Sequence, residues 1–303
     1  MQHQNLFVLS ALHMVRITLS HGNGPASAMG YALLGMVLGP VFGRYEEAYE
    51  FGKLARKITE AEGMEEYRAR VNFLFGDSIN LWINHLKTNL DYLYDAFEAT
   101  SRAGDVTFSG YCCNHIVADL LILGRGLDEV FQESQFYMDY ILKVNFEAPK
   151  EVIKGIQCFI LNMRGQTNNF STFSNAEFNQ AAYEDYIDTY DQPIVICWYY
   201  ILVLQARFLS GDYEDAINAA AKAKTYLWSS LGHVQEVEYW FYLALSIAGN
   251  WSRFDQETRP KMMAVLEQHS SKLNEWAGTC PTTFGNKAAL VMAEIARIKG
   301  END

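Results

Sequence analysis

The stretch Gly211-Asp212-Tyr213-Glu214-Asp215-Ala216-Ile217, with Ala219, Ala220, Ala221 and Ala223 behind it, decides how the chain is read. A glycine ends one helix, because it accepts positive φ without a Cβ clash. The aspartate after it is placed to cap the next helix. An aromatic residue and then small residues follow at helical spacing, on the side that faces a partner helix. Only small side chains let two antiparallel backbones approach closely. Upstream, Trp198, Tyr200, Val203 and Leu204 supply the apolar face of the first helix. The stretch therefore reads as the turn and second helix of a helical hairpin.

The same signature recurs. Gly43-Arg44-Tyr45-Glu46-Glu47-Ala48-Tyr49 repeats the order glycine, any residue, aromatic, acidic, any residue, alanine, with Gly52 and Ala55 as further small contacts. These hairpins resemble tetratricopeptide repeats. Gly211 and Gly249 lie one hairpin apart, close to the ~34-residue period of such arrays. Leu204 stands where those repeats prefer a small residue, so this copy is degenerate, and an ordinary helical bundle is the competing reading. The expected fold is all-α, a right-handed superhelix of tetratricopeptide-like antiparallel hairpins. Residues 1–303 form one repeat domain in this reading, whole or as a fragment of a larger multidomain protein.

Outward from these two hairpins the chain continues in helices. Residues 4–20 read as an amphipathic helix with Leu6, Leu9, Leu12, Val15 and Leu19 on the buried side. Gly39-Pro40 kinks or ends the helix that follows. Helices over 65–76 and 82–103 are divided at Gly76-Asp77. Residues 111–123 and 127–142 form a hairpin about Gly124-Arg125-Gly126, and 150–164 is a further helix. The polar segment 165–175 is the expected mobile loop. Residues 176–190 are helical, and 234–248 pairs with 260–276 across Gly249-Asn250. A last helix runs from Pro281 to Ile298.

The composition supports this reading. The chain has 303 residues, 50% hydrophobic and only 20% charged, which excludes disorder and allows a large core. Most of the 6 prolines sit near predicted helix ends. A net charge of −12 argues against binding a phosphate backbone, so no nucleic acid is expected. The 5 cysteines are odd in number and lack paired metal spacing, which fits free thiols in the cytoplasm. Charges or glycines interrupt each apolar stretch that approaches bilayer length, so no membrane span is expected.

Residues able to carry chemistry are sparse. Cys112-Cys113-Asn114-His115 brings soft ligands together, but neighbouring cysteines point apart and no second cluster completes a tetrahedral site. Glu184-Asp185-Tyr186-Ile187-Asp188 resembles the acidic Mg²⁺ motif of all-helical prenyl diphosphate enzymes. It lacks a second acidic motif and a basic pair for the diphosphate. No catalytic residue, cofactor or resident metal is expected. If the first helix of each hairpin lines a concave groove, Trp198, Ile201 and Gln205 from one hairpin and Glu236 and Tyr239 from the next face a protein or peptide partner. Enclosure of a small molecule by the same aromatics is the alternative.

Several segments in order resemble the helical region of very large cyanobacterial-type multisensor signalling kinases. They are Met14 to Asn23 followed by Ser27-Ala28, Phe42 to Tyr45 with Tyr49 to Ala55, Trp82-Ile83-Asn84-His85-Leu86, Gly104-Asp105, and Cys280 to Phe284 running on to Ala293-Glu294-Ile295-Ala296-Arg297. Such chains join a Ser/Thr-kinase-like domain, a P-loop ATPase, a helical-repeat region, a GAF sensor and a histidine kinase. The resemblance implies a non-catalytic module that binds a partner or couples neighbouring domains of the same polypeptide.

Overall fold

The computed structural model describes residues 2–190 and 192–301. Met1 and Asp303, on which the question of a longer polypeptide turns, lie outside the described residues. Among the described residues the chain consists of α-helices and short 3₁₀ turns joined by loops, with no strand. Its contacts gather into two compact units, Met1–Leu123 and Gly124–Asp303, where the sequence reading has one repeat domain.

The first unit contains α1 (Gln2–His21), α2 (Pro25–Phe42), α3 (Tyr45–Thr59), α4 (Arg68–Ser78), α5 (Asn89–Ala103) and α6 (Val106–Ile122). α2 and α3 form the expected hairpin about Gly43, whose φ is +69°. α2 ends two residues after Pro40. A Cβ on Gly35 would stand 2.8 Å from the Ala48 carbonyl oxygen, so the closeness of this pair depends on glycine. Tyr45 is buried, its ring centroid 5.2 Å from that of Trp82.

Two expectations fail here for physical reasons. α4 continues through Gly76, and Trp82 closes a 3₁₀ turn (Asn80–Trp82) instead of opening a long helix. The Asn80 side chain donates to Thr88 Oγ1 at 2.6 Å and Asn89 Oδ1 at 2.9 Å, which favours a side-chain-tied turn over a continuous helix. On α1 the buried residues include Ala11, Val15 and Thr18, while Leu6, Leu9, Leu12 and Leu19 are exposed. A Cβ on Gly30 of α2 would lie 3.1 Å from Met14 Cβ, and Thr18 Oγ1 donates to Ser27 Oγ at 3.0 Å. At that separation the smaller stripe of α1 fits against α2 and the leucine stripe does not.

The second unit contains α7 (Leu127–Val144), α8 (Glu147–Met163), α9 (Gln180–Thr189), α10 (Pro193–Ser210), α11 (Tyr213–Tyr226), α12 (Val234–Gly249), α13 (Thr258–Thr279) and α14 (Pro281–Lys299). α10 is the central helix and packs on α8, α9, α11 and α12. It starts with Pro193 and stops at Gly211, φ +83°. Ala216, Ala219, Ala220 and Ala223 of α11 are buried, and α10 and α11 form the hairpin that the sequence predicts. Asp212 occupies the N-cap position of α11 without a side-chain cap bond. Its carboxylate instead accepts from Ser210 Oγ at 3.0 Å and from Ser171 Oγ.

That last contact belongs to the segment expected to be mobile, 165–175, which is held from several sides. Asn162, fully buried, places its Nδ2 within 3.3 Å of Thr167 Oγ1 and of the carbonyls of Asn169, Phe170 and Thr172. Gln180 Oε1 accepts from Phe173 N at 2.7 Å, and Phe173 is buried. In place of the expected pairing of 111–123 with 127–142, α6 packs on α5 and α7 on α8. α13 packs most extensively on α14, with α12 against both.

α2 and α10 are long and apolar enough to match a membrane span by length and composition, which the sequence reading did not expect. Each is more than half buried within the chain, the pattern of a core helix.

Candidate functional site

The five residues assigned to a groove sit on α10 and α12. Trp198, Ile201, Glu236 and Tyr239 are buried, and Gln205 is half-buried. Trp198 Nε1 donates to Ser230 Oγ at 3.0 Å, and its ring lies edge-on to His233 with centroids 5.6 Å apart. Gln205 Nε2 donates to Tyr242 Oη at 3.0 Å. Burial pushes the Glu236 carboxyl up to about 7, against the opposing pull of the Gly232 N–H, Lys272 and His233. Burial likewise raises the Tyr239 phenol to about 12. The structure thus places four of the five in the interior of the second unit, where they present no open wall to a partner. Helical spacing selected the apolar face of α10 correctly, but α12 packs on that helix and closes it.

The acidic motif lies on α9. Glu184 accepts from Gln180 Nε2 at 2.7 Å and Tyr199 Oη at 3.3 Å. Asp188 Oδ1 accepts from Tyr200 Oη at 3.1 Å. Lys222 of α11 lies between them, its Nζ 3.6 Å from Glu184 and 3.9 Å from Asp188, and it donates to Tyr200 Oη at 2.8 Å. Asp185 is exposed. A lysine ammonium therefore occupies the place between carboxylates that a Mg²⁺ site would need, and the third carboxylate does not join them.

The Cys112-to-His115 segment is buried in α6. Burial pushes both thiols up, so they stay protonated at neutral pH and are poor ligands and nucleophiles. His115 pairs with a residue that sequence spacing did not connect to it. Its Nδ1 lies 2.5 Å from Asp77 Oδ1, and Ser78 Oγ donates to the other oxygen of Asp77 at 2.7 Å. Asp119, fully buried nearby, has its carboxyl pushed well up, first by burial and then by the Asp77 charge. Both members of the His–Asp pair are closed to solvent.

An open cleft of about 630 Å³ lies on the outer face of α3, lined by Glu46, Glu47, Tyr49, Glu50, Phe51 and Ile83. The three glutamates are exposed, and the three apolar or aromatic residues are half-buried. Glu46 and Glu47 stand in the first turn of α3, where the helix dipole favours negative charge. Arg44 pairs with Glu47, and Lys53 with Glu50 at 2.7 Å. Phe51 stacks on Tyr31 with centroids 6.0 Å apart. An acidic rim over an aromatic floor suits a basic segment with apolar side chains.

Part of the chain is similar to a signalling kinase. The hybrid signal transduction histidine kinase G of Dictyostelium discoideum is 28% identical over 163 residues, 53% of this chain. The chain spans only about 5% of the length of that curated relative. No protein-family model matches the chain. The α3 cleft lies within Tyr45 to Phe51 and Trp82 to Leu86, in or beside the segments whose sequence first suggested kinase-associated helical repeats.

Proposed function

We propose that the chain is a non-catalytic, tetratricopeptide-like helical module of cytoplasmic signalling. It binds a protein segment and passes its state to a kinase, in the same polypeptide or in a partner. The observation that carries this reading is the similarity to a short part of a far longer signal-transduction kinase. Two further features support it. The α2/α3 and α10/α11 hairpins share one turn chemistry, as stacked repeats do. The α3 cleft presents an acidic, aromatic surface of a size that accepts a few side chains of a bound segment.

The binding reading is tested by affinity capture from source cells with the wild-type chain and with Glu46→Lys/Glu50→Lys. Both substitutions lie on exposed positions of α3, and circular dichroism and thermal melting of the variant check that the fold is retained. The expected result is recovery of a signalling kinase with the wild type and its loss with the variant. Equal recovery removes the α3 cleft as the site. Recovery of no signalling protein with either removes the function.

A further inference from the structure

α1 turns an apolar face to water. Leu6 and Leu9 are each 62% exposed, Leu12 48%, Ile17 47% and Leu19 74%. Leu9, Leu12, Arg16 and Leu19 follow one another at steps of three, four and three residues, the spacing of a coiled-coil seam. Leu6 borders that seam beside Leu9, and Ile17 lies further round, about 120° from its centre. The buried residues Ala11, Val15 and Thr18 centre about 110° away on the helical wheel, with Val15 bordering the seam beside Leu19. The seam is therefore a second face, separate from the one that meets α2.

Charge is distributed unevenly along the chain. Residues 1–43 contain one charged residue, Arg16, and no acidic one. The other 23 basic and all 36 acidic residues follow, so residues 44–303 carry −13. Two copies that approach through most of the surface bring like charges together. An approach through α1 keeps them apart and covers the leucines.

We propose that two copies of the chain pair antiparallel through the Leu9, Leu12, Arg16 and Leu19 face of α1, as an isologous dimer. Parallel pairing sets Arg16 against Arg16. Antiparallel pairing sets Leu9 opposite Leu19 and Leu12 opposite Arg16, whose aliphatic stem covers the leucine while the guanidinium stays in water. Leu6, Leu9, Leu12 and Leu19 offer roughly 450 Å² per copy, within the range of the largest patch on a monomer and close to the apolar share of the about 800 Å² per partner in a stable interface. A lipid surface is a poorer fit. Interfacial helices gain from several Lys or Arg at anionic headgroups, and α1 offers one Arg in a chain of net −12.

The test is sedimentation equilibrium of the purified chain at micromolar concentrations. The expected mass is twice 34.5 kDa. Leu12→Glu/Leu19→Glu, at exposed positions, is expected to sediment as a monomer with unchanged helical circular dichroism and melting. A short bismaleimide is expected to join a Leu9→Cys chain to a Leu19→Cys chain in a mixture and to leave each variant alone unjoined. Three results overturn the proposal. They are a monomer at all concentrations that floats with phosphatidylcholine or phosphatidylserine vesicles, a monomer that does not, and a dimer that survives the double glutamate.

Discussion

The ring of Tyr213 fills the place where a side chain on Gly249 would begin. A Cβ there would meet the Tyr213 Cζ at 2.7 Å. Tyr213 opens α11 and Gly249 closes α12, so the aromatic residue of one hairpin sets the distance to the next helix. Gly249 is not in the left-handed region, and its need for glycine comes from this approach and not from a turn. Gly249→Ala is expected to destabilise the chain by about 1–3 kcal/mol through overpacking. Adding Tyr213→Ala to it is expected to cost less than the sum of the single changes. Urea denaturation of the four proteins checks both statements.

Glu236 and His269 are expected to give opposing pH dependences. Burial raises the Glu236 carboxyl from 4.5 to about 7, so the folded state holds the proton more tightly and stability falls as pH rises through that window. Burial lowers the His269 imidazole from 6.5 to about 4, while its Nδ1–H donates to the Trp240 carbonyl at 2.8 Å. The folded state binds that proton less tightly, so stability rises with pH from about 4 to 6.5. The two trends offset one another over most of the acid range. Glu236→Gln removes the falling limb. Its unfolding free energy, followed from pH 4 to 8, is expected to exceed that of the wild type at pH 8 by a few kcal/mol at most. The scale is on the order of 1.4 kcal/mol for a tenfold difference in proton affinity between the folded and unfolded chains.

The Asp77–His115 pair is expected to matter more than any surface ion pair. Asp77→Leu removes the acceptor from both His115 and Ser78 in the interior. A loss of about 3–5 kcal/mol is expected for breaking a buried pair. Arg102 and Glu98, an exposed pair on α5, give the comparison. Arg102→Met is expected to change stability by less than about 1 kcal/mol.

Lys222 lies between the Glu184 and Asp188 carboxylates of α9, 3.6 and 3.9 Å from them. Calorimetric titration with Mg²⁺ is expected to show no saturable binding to the wild type. Asp185→Asn, on the exposed side of α9, is expected to leave both this result and the melting temperature unchanged. A saturable Mg²⁺ isotherm abolished by Asp185→Asn contradicts this account of the motif.

The hairpins α2/α3 and α10/α11 were legible because their signature is local: a glycine with positive φ, an aromatic residue and small residues one helical turn apart. The pairing of Asp77 with His115 was not, since it joins α4 to α6 and nothing in the spacing of the Cys112-to-His115 cluster points to an acidic partner on α4. On α1 two apolar stripes compete. Hydrophobicity favours the leucines, while the close approach to Gly30 favours the smaller residues, and only the packed structure decides between them. The segment 165–175 is polar, which marks it as a loop, but its anchoring by Asn162, Gln180 and Asp212 leaves no periodic trace. The groove residues Trp198, Ile201, Glu236 and Tyr239 were chosen by their position in the hairpin. That α12 covers them depends on which helix α10 meets, which spacing along the chain does not specify.

The central claim is a non-catalytic module that serves a signalling kinase. Incubation with labelled ATP tests it most directly, comparing the purified chain with the material it captures from source cells and scoring acid-labile phosphohistidine. The account predicts label on a captured kinase polypeptide and none on the purified chain. Label on the chain alone, or a captured fraction without phosphohistidine, would contradict it.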